Sequence, residues 1–271
     1  MTGSTPPAPE RRELGTLFRD RRAAEALGVL TSPVKAEHLE LDCSNVTQID
    51  TYGTAVIRAT LDAHLAADPR HRATIVEPTT SAIWPFLSDA VGRPPSGSKW
   101  AGTRSPATRG TDVLIPATPV RHDEAPLIVR TVGIVAAALH HGIRPGQLLA
   151  EAAQVFLDNV ADHAPGAPTS PVVCAAFEPV SKNLQLVCIN LAPPGTPVPA
   201  NEAEIERMLD DPDEVFRSLG WLARRSRADL DFSLRIISGA ARARHRTGRG
   251  WSFASEEPAV PGFIAGIEIH R

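Results

Sequence analysis

The sequence predicts an α/β protein built from two units, and three observations carry that expectation. Residues 38–91 alternate short apolar strands with helix-period segments. Residues 92–110 are rich in Pro, Gly, Ser, Thr and Arg and lose all periodicity. After them a second run begins, with a strand, two long helical patterns, a hairpin-like pair of strands and a closing pair of strands.

Taken in order, residues 1–12 read as a polar, Pro-rich tail rather than a leader, and Glu13 to Leu27 as a helix on the spacing of Leu14, Leu17, Phe18, Ala24 and Leu27, giving a tail-and-helix segment over 1–27. His38 to Cys43 alternates as a strand does. Thr51 to Ala66 carries Val56, Ile57, Leu61 and Leu65 on one helical stripe, Ala73 to Val76 is a short strand, and a helix is expected around Ser81 to Val91. These make a first unit over 28–92, joined by a linker over 93–111 in which Trp100 is either a docking anchor or a cover for an edge. In the second unit, 112–271, Asp112 to Ile115 begins as a strand. Helices are expected over Ala125 to His141 and over Pro145 to His163, the latter starting at a proline suited to a first turn. Pro171 to Phe177 and Leu184 to Ile189 read as paired strands, Glu202 to Arg225 as a helix broken at Asp210 to Asp213, Leu230 to Arg244 as a further helix, and Gly250 to Ala254 and Phe263 to Ile269 as final strands. A mixed sheet with helices on one face is the expected result.

The bulk numbers narrow the function. The chain has 271 residues, 42% of them hydrophobic and 22% charged, enough for two cored units. A net charge of −3 lacks the basic balance of a dedicated nucleic-acid binder. The three cysteines form no CxxC and suit a reducing cytoplasm, and no apolar stretch approaches the roughly 20 residues of a membrane span. The histidines lack metal-ligand spacing, and no Ser/His/Asp or Cys/His constellation is identifiable. The cluster Arg242 to Arg249, with His245 and Trp251 after it, reads as a charged helix C-terminus.

Two segments carry more than composition. Leu39-Glu40-Leu41-Asp42 followed by Asp50-Thr51-Tyr52-Gly53 at a helix start resembles the STAS domain of anti-sigma-factor antagonists, whose loop reads Asp-Ser-Ser/Thr-Gly. The resemblance implies a phosphoacceptor hydroxyl between Asp and Gly, here Thr51, with Tyr52 departing from the pattern. A helix N-terminus offers free N–H groups and partial positive charge to such an anion. The alternative is that Asp50 or Thr51 is only a cap. Either way the loop is expected to be exposed.

The segment Val155-Phe156-Leu157-Asp158-Asn159-Val160-Ala161-Asp162-His163-Ala164 resembles the first ATP-binding motif of the histidine-kinase/gyrase/Hsp90/MutL (GHKL) superfamily, in which Glu precedes Asn by four residues and His-Ala follows. Asn159, His163 and Ala164 match, and Val155 stands where the Glu belongs. The resemblance implies an α/β sandwich, ATP as ligand, Mg held by Asn159, and no general base, since valine cannot take a proton. The next motif, Asp-x-Gly-x-Gly, is met by Asn190-Leu191-Ala192-Pro193-Pro194-Gly195, in which Asn190 and Gly195 survive as contacts for the nucleotide. The third, Gly-rich motif has no glycine in Arg224 to Asp231. The implied function is a regulatory, non-enzymatic signalling protein of the partner-switching kind, acting on a protein partner. An active serine/threonine protein kinase and an ATP-sensing scaffold are the alternatives, and a homodimer is left open.

Overall fold

The computed structural model describes residues 8–18, 20–30, 35–79, 87–88, 91, 97–100, 112–139, 142–163, 169–178, 182–192, 198–210, 217–224 and 230–270. Two principal sheets organise them. The first is parallel, in the order β1 (Glu10–Glu13), β3 (His38–Asp42), β5 (Arg72–Val76), β6 (Ser98–Trp100). A two-residue pair, β2 (Leu17–Phe18) with β4 (Gln48–Ile49), leads into helices α1 (Asp20–Leu30) and α2 (Thr51–Ala67). The second sheet has the order β10 (Phe232–Arg246), β11 (Gly250–Ile269), β9 (Asn183–Leu191), β8 (Val172–Glu178), β7 (Asp112–Pro119). Helices α3 (Ala125–Leu139), α4 (Ile143–His163), α5 (Glu202–Asp210) and α6 (Arg217–Arg224) complete the second part.

The second sheet has two well-defined faces because its strands keep a two-residue period. Leu184, Leu186 and Cys188 of β9, Val173 and Ala175 of β8, Ile267 and Ile269 of β11, and Phe232, Leu234 and Ile236 of β10 share one core with Leu149, Phe156 and Val160 of α4. The intervening residues point the other way. Cys174, Val187, Ile189, Ile237 and Ile264 join a second core with Tyr52, Ala55, Val56 and Ala59 of α2. That core runs on without interruption through Leu39, Leu41 and Ile75 of the first sheet. The order of layers is therefore first sheet, α1 and α2, second sheet, α3 and α4.

Several expectations needed correction. Residues 10–13 lie in no tail: they form β1, in parallel register with β3 from Glu10↔Leu39 to Glu13↔Asp42, and Arg11 pairs with the buried Asp42. A charged edge strand reads as solvent-facing chain in sequence, since the edge is where charge is tolerated. The first helix starts at Asp20, not Glu13. The expected linker contains β6, which pairs with β5 from Ala73↔Ser98 to Ile75↔Trp100; the side chain of Trp100 and residues 101–111 lie outside the description. Of the helix expected at 81–91, residues 87, 88 and 91 are described, and they are helical. The second sheet is antiparallel throughout rather than mixed.

The largest correction concerns Leu230 to Arg244, which is strand β10 and not a helix, so the Arg242 to Arg249 cluster sits on a hairpin and not at a helix end. The expected pair of closing strands is one long strand, β11. The reason is a bulge. Phe232, Leu234 and Ile236 alternate in even phase, and Ala241 and Ala243 in odd phase, with Gly239 between them at φ +56. Two period-two stretches one residue out of step, rich in Ala and Arg, look helical when scored as one window. The expected helices over 125–141 and 145–163 are present with bounds two residues different, and Glu202 to Arg225 resolves into α5 and α6 around 211–216, which lie outside the description.

Candidate functional site

Helix α2 begins where Asp50, extended at φ −129 and ψ −170, turns its carboxylate back to accept from the Gly53 N–H at 2.9 Å. This is a side-chain N-cap. Gly53 is required by space: a Cβ there would overlap the Phe18 carbonyl oxygen and meet Ile49 Cγ1 at 2.8 Å. The glycine of Asp50-Thr51-Tyr52-Gly53 thus lets the β2 backbone cross the first turn of α2.

The loop is not exposed as expected. Thr51 is 1% exposed and Tyr52 7%. Both are covered by the outer face of the second sheet, whose cross-strand rows follow from its register. One row is Ala176, Gln185, Glu268 and Ser233; the next is Cys174, Val187, Gly266 and Arg235; the third is Val172, Ile189, Ile264 and Ile237. Thr51 meets the first row. Its hydroxyl donates to Gln185 Oε1 at 2.9 Å. Gln185 Nε2 donates in turn to Glu268 Oε1 at 3.3 Å, which also accepts from Asn183 Nδ2 at 2.6 Å.

Tyr52 meets the second row. A Cβ on Gly266 would overlap the Tyr52 hydroxyl and Cζ and lie 3.0 Å from Cε1, so the phenol fills the notch left by the absent side chain. The Arg235 guanidinium lies 5.6 Å from the ring centroid, over its face. Burial pushes the phenol pKa far up, with the Asp50 and Glu268 carboxylates adding to it, so the tyrosine stays protonated. Burial also brings Arg235 down to about 10, aided by Arg244. Two turns further along α2, Arg58 holds Asp62 with Nε at 3.0 Å and donates to the carbonyl of Ala117 in β7 at 3.3 Å, tying α2 to the sheet edge.

The remaining sequence-predicted residues lie elsewhere. Asn159 is buried in α4. Val155, one turn earlier on the same helix face, is half-buried against the core and offers no acceptor. Asn190 is 3% exposed and in phase with Leu184, Leu186 and Cys188, so it faces the helix layer, and its Oδ1 has no hydrogen-bond partner among the described residues. Asn159 and Asn190 therefore share one side of the second sheet, and Thr51 lies on the other. His163 closes α4, but its side chain lies outside the description, as do Gly195 and residues 225–229, where the third motif would fall. Among the described residues no cluster of three or more His, Cys, Asp or Glu could hold a metal ion. A cavity of about 250 Å³ opens beside α4 between Arg121, His122, Gln154, Leu157, Asp158 and Pro171, and neither Asn159 nor Asn190 lines it. Among the described residues no helix is long and apolar enough to cross a membrane.

Gln185, Glu268, Gly266 and Arg235 were missed at the sequence level, although a signal existed. Gln185 and Glu268 interrupt apolar strands, and Gly266 sits alone inside Phe263-Ile264-Ala265-Gly266-Ile267, a pattern that marks close approach by another group. No family model, no curated protein and no solved structure matches the chain.

Proposed function

We propose that the chain is a non-enzymatic signalling protein in which a STAS-like N-terminal part is held in cis on the outer face of a degenerate GHKL-type ATPase part, in the manner of a partner-switching regulator. The observation that carries this reading is the burial of Thr51 and Tyr52 against β9 and β11, on the opposite side of the sheet from Asn159 and Asn190. A kinase acting on its own Thr51 needs the hydroxyl in line with the nucleotide, within about 3.5 Å of the reacting phosphorus. The five-stranded sheet that lies between Thr51 and the two asparagines speaks against that. Val155 adds a chemical reason, since an apolar side chain at that turn activates neither water nor hydroxyl. In this reading the free state of the loop is what a protein partner recognises, and docking withholds it.

The test is a γ-phosphate assay on purified protein with Mg-ATP. The expected result is hydrolysis no faster than background and no label on Thr51 or Tyr52; robust turnover overturns the reading. A second reading, an ATP-sensing scaffold, is favoured by one observation, the open Asn190 Oδ1 on the helix side. It is an acceptor of the kind an adenine amino group requires, without the charge assistance of an aspartate. The resemblance adds Asn159 as the residue that would hold Mg²⁺, and Gly195, outside the described residues, as a further nucleotide contact. Calorimetric titration with ADP or ATP, with and without Mg²⁺, separates the two: heat of binding supports the scaffold, and a flat titration supports a regulator without a nucleotide.

A further inference from the structure

The cavity beside α4 follows from the way the chain leaves the second sheet. β7 and β8 close on each other where the Val120 N–H donates to the Pro171 carbonyl at 2.8 Å. The short turn His122–Glu124 then carries the chain off the sheet and into α3. On α4, Gln154, Leu157, Asp158 and Ala161 follow a three-four-three spacing and share one face. Ala125 and Ala161 line the space between these segments with side chains too short to fill it, and about 250 Å³ stays open. The inner wall is apolar, with Val120, Leu157 and Val160 all buried. An apolar cavity of about 150 Å³ already takes a benzene ring, so this one has room for a ring and a short arm.

The groups at the mouth decide what that arm carries. Arg121 is the one Arg or Lys among the lining residues, and its guanidinium is spent on Glu124 at 3.0 Å and Asp123 at 3.5 Å. The Arg121 backbone N–H holds Glu124 as well, at 3.0 Å. On the α4 side, one Asp158 oxygen accepts from Gln154 Nε2 at 2.6 Å, and its other oxygen accepts from no described residue. Gln154, having spent its amide N–H, keeps its carbonyl oxygen as a second acceptor. We propose that this cavity binds a small organic amine, with its ammonium group held by Asp158 and Gln154 and an apolar body of about one ring under Leu157, Val160 and Pro171. An ammonium has three donors and no acceptor, which matches the two open acceptors of α4. A carboxylate or phosphate in the same place meets the Asp158 charge and an arginine already neutralised. A metal ion is not served either: an apolar wall supplies no oxygens, and among the described residues no cluster of three ligating side chains exists. The inference is independent of the reading of Asn159 and Asn190, since neither lines the cavity.

The experiment titrates the full chain with phenethylamine, phenethyl alcohol and phenylacetate, which share a ring and are close in length but carry positive, zero and negative charge at neutral pH. Binding is followed by shifts in the amide NMR spectrum, for the wild type, Asp158→Asn and Ala161→Leu. Both substituted positions are exposed, so each variant should keep the wild-type spectrum away from its own neighbours. In the wild type the amine should bind about threefold to fivefold more tightly than the alcohol, the scale of one exposed ion pair, and phenylacetate should bind most weakly. Asp158→Asn should bring the amine down to the affinity of the alcohol. Ala161→Leu should weaken the amine and the alcohol together by roughly tenfold or more, because the added carbons occupy the cavity. The proposal is overturned if no probe binds the wild type, or if the alcohol or phenylacetate binds as tightly as the amine. It is overturned equally if Asp158→Asn keeps the preference, or if Ala161→Leu leaves the affinities unchanged and so places binding elsewhere.

Discussion

Replacing Gly266 by alanine tests the docking of Tyr52 with a change of sign. A methyl group at this position overlaps the phenol, and the ring must move by roughly 1 Å or more to regain van der Waals separation of about 3.5 Å. The ring is wedged under Arg235 and is only 7% exposed, so it cannot swing away freely. Overpacking of this kind costs about 1–3 kcal/mol. In a strand with nothing above it, Gly→Ala works in the opposite direction, stabilising by roughly 0.5–1 kcal/mol through backbone entropy. A double-mutant cycle of Gly266→Ala and Tyr52→Ala, read by urea denaturation, therefore has a definite outcome. Gly266→Ala should destabilise the wild type by about 1–3 kcal/mol and be neutral or stabilising once Tyr52 is alanine, with a coupling above about 1 kcal/mol. An equal cost in both backgrounds would refute the fit of the phenol into the Gly266 notch.

Two further outcomes concern packing at Gly53 and protonation of His64 and His245. Gly53→Ala should destabilise by more than the loss of the Asp50 cap in Asp50→Ala, which costs about 1 kcal/mol, because the new methyl meets the Phe18 backbone rather than a yielding side chain; thermal melts of the two variants check the order. Acidification should also weaken the fold through two histidines. His64 has its pKa lowered by burial and then by His71, stacked on it at 4.4 Å, and burial lowers that of His245. The fold prefers both rings neutral, so no penalty exists above the ordinary value of 6.5 and the penalty grows as pH falls toward the lowered folded values. Urea midpoints should fall from about pH 7 to pH 5, and His64→Gln with His245→Gln should flatten that fall.

What the sequence made legible, and what it hid, follows from the range of the forces involved. Helices α2, α3 and α4 were readable because their stripes repeat locally, and β8 and β9 because both are short apolar runs around a turn. Strand β1 was not, because its sequence Glu-Arg-Arg-Glu carries no burial signal and its only instruction is the backbone edge of β3, supplied by a distant segment. Strand β10 was lost to a one-residue phase change at Gly239. The loop at Asp50 was identified, and the alternative of a cap at Asp50 or Thr51 resolves to Asp50, yet its environment carried no local signal. Thr51 meets a residue 134 positions away, and no local pattern announces that partner. The polar row of Gln185 and Glu268 was present in the alternation of β9 and β11, but it gains meaning only when the register sets the two side by side beneath α2.

The first turn of α2 is closed by the second sheet. The first N–H groups of a helix have no partner within it, and at an exposed helix start they exchange with solvent within seconds. Hydrogen exchange measured on the intact chain, comparing the peptide over 50–56 with that over 184–191, addresses this most directly. The two segments should be protected together and open with similar free energies, since α2 and β9 are two sides of one buried core. Rapid exchange of 50–56 while 184–191 stays protected would contradict it.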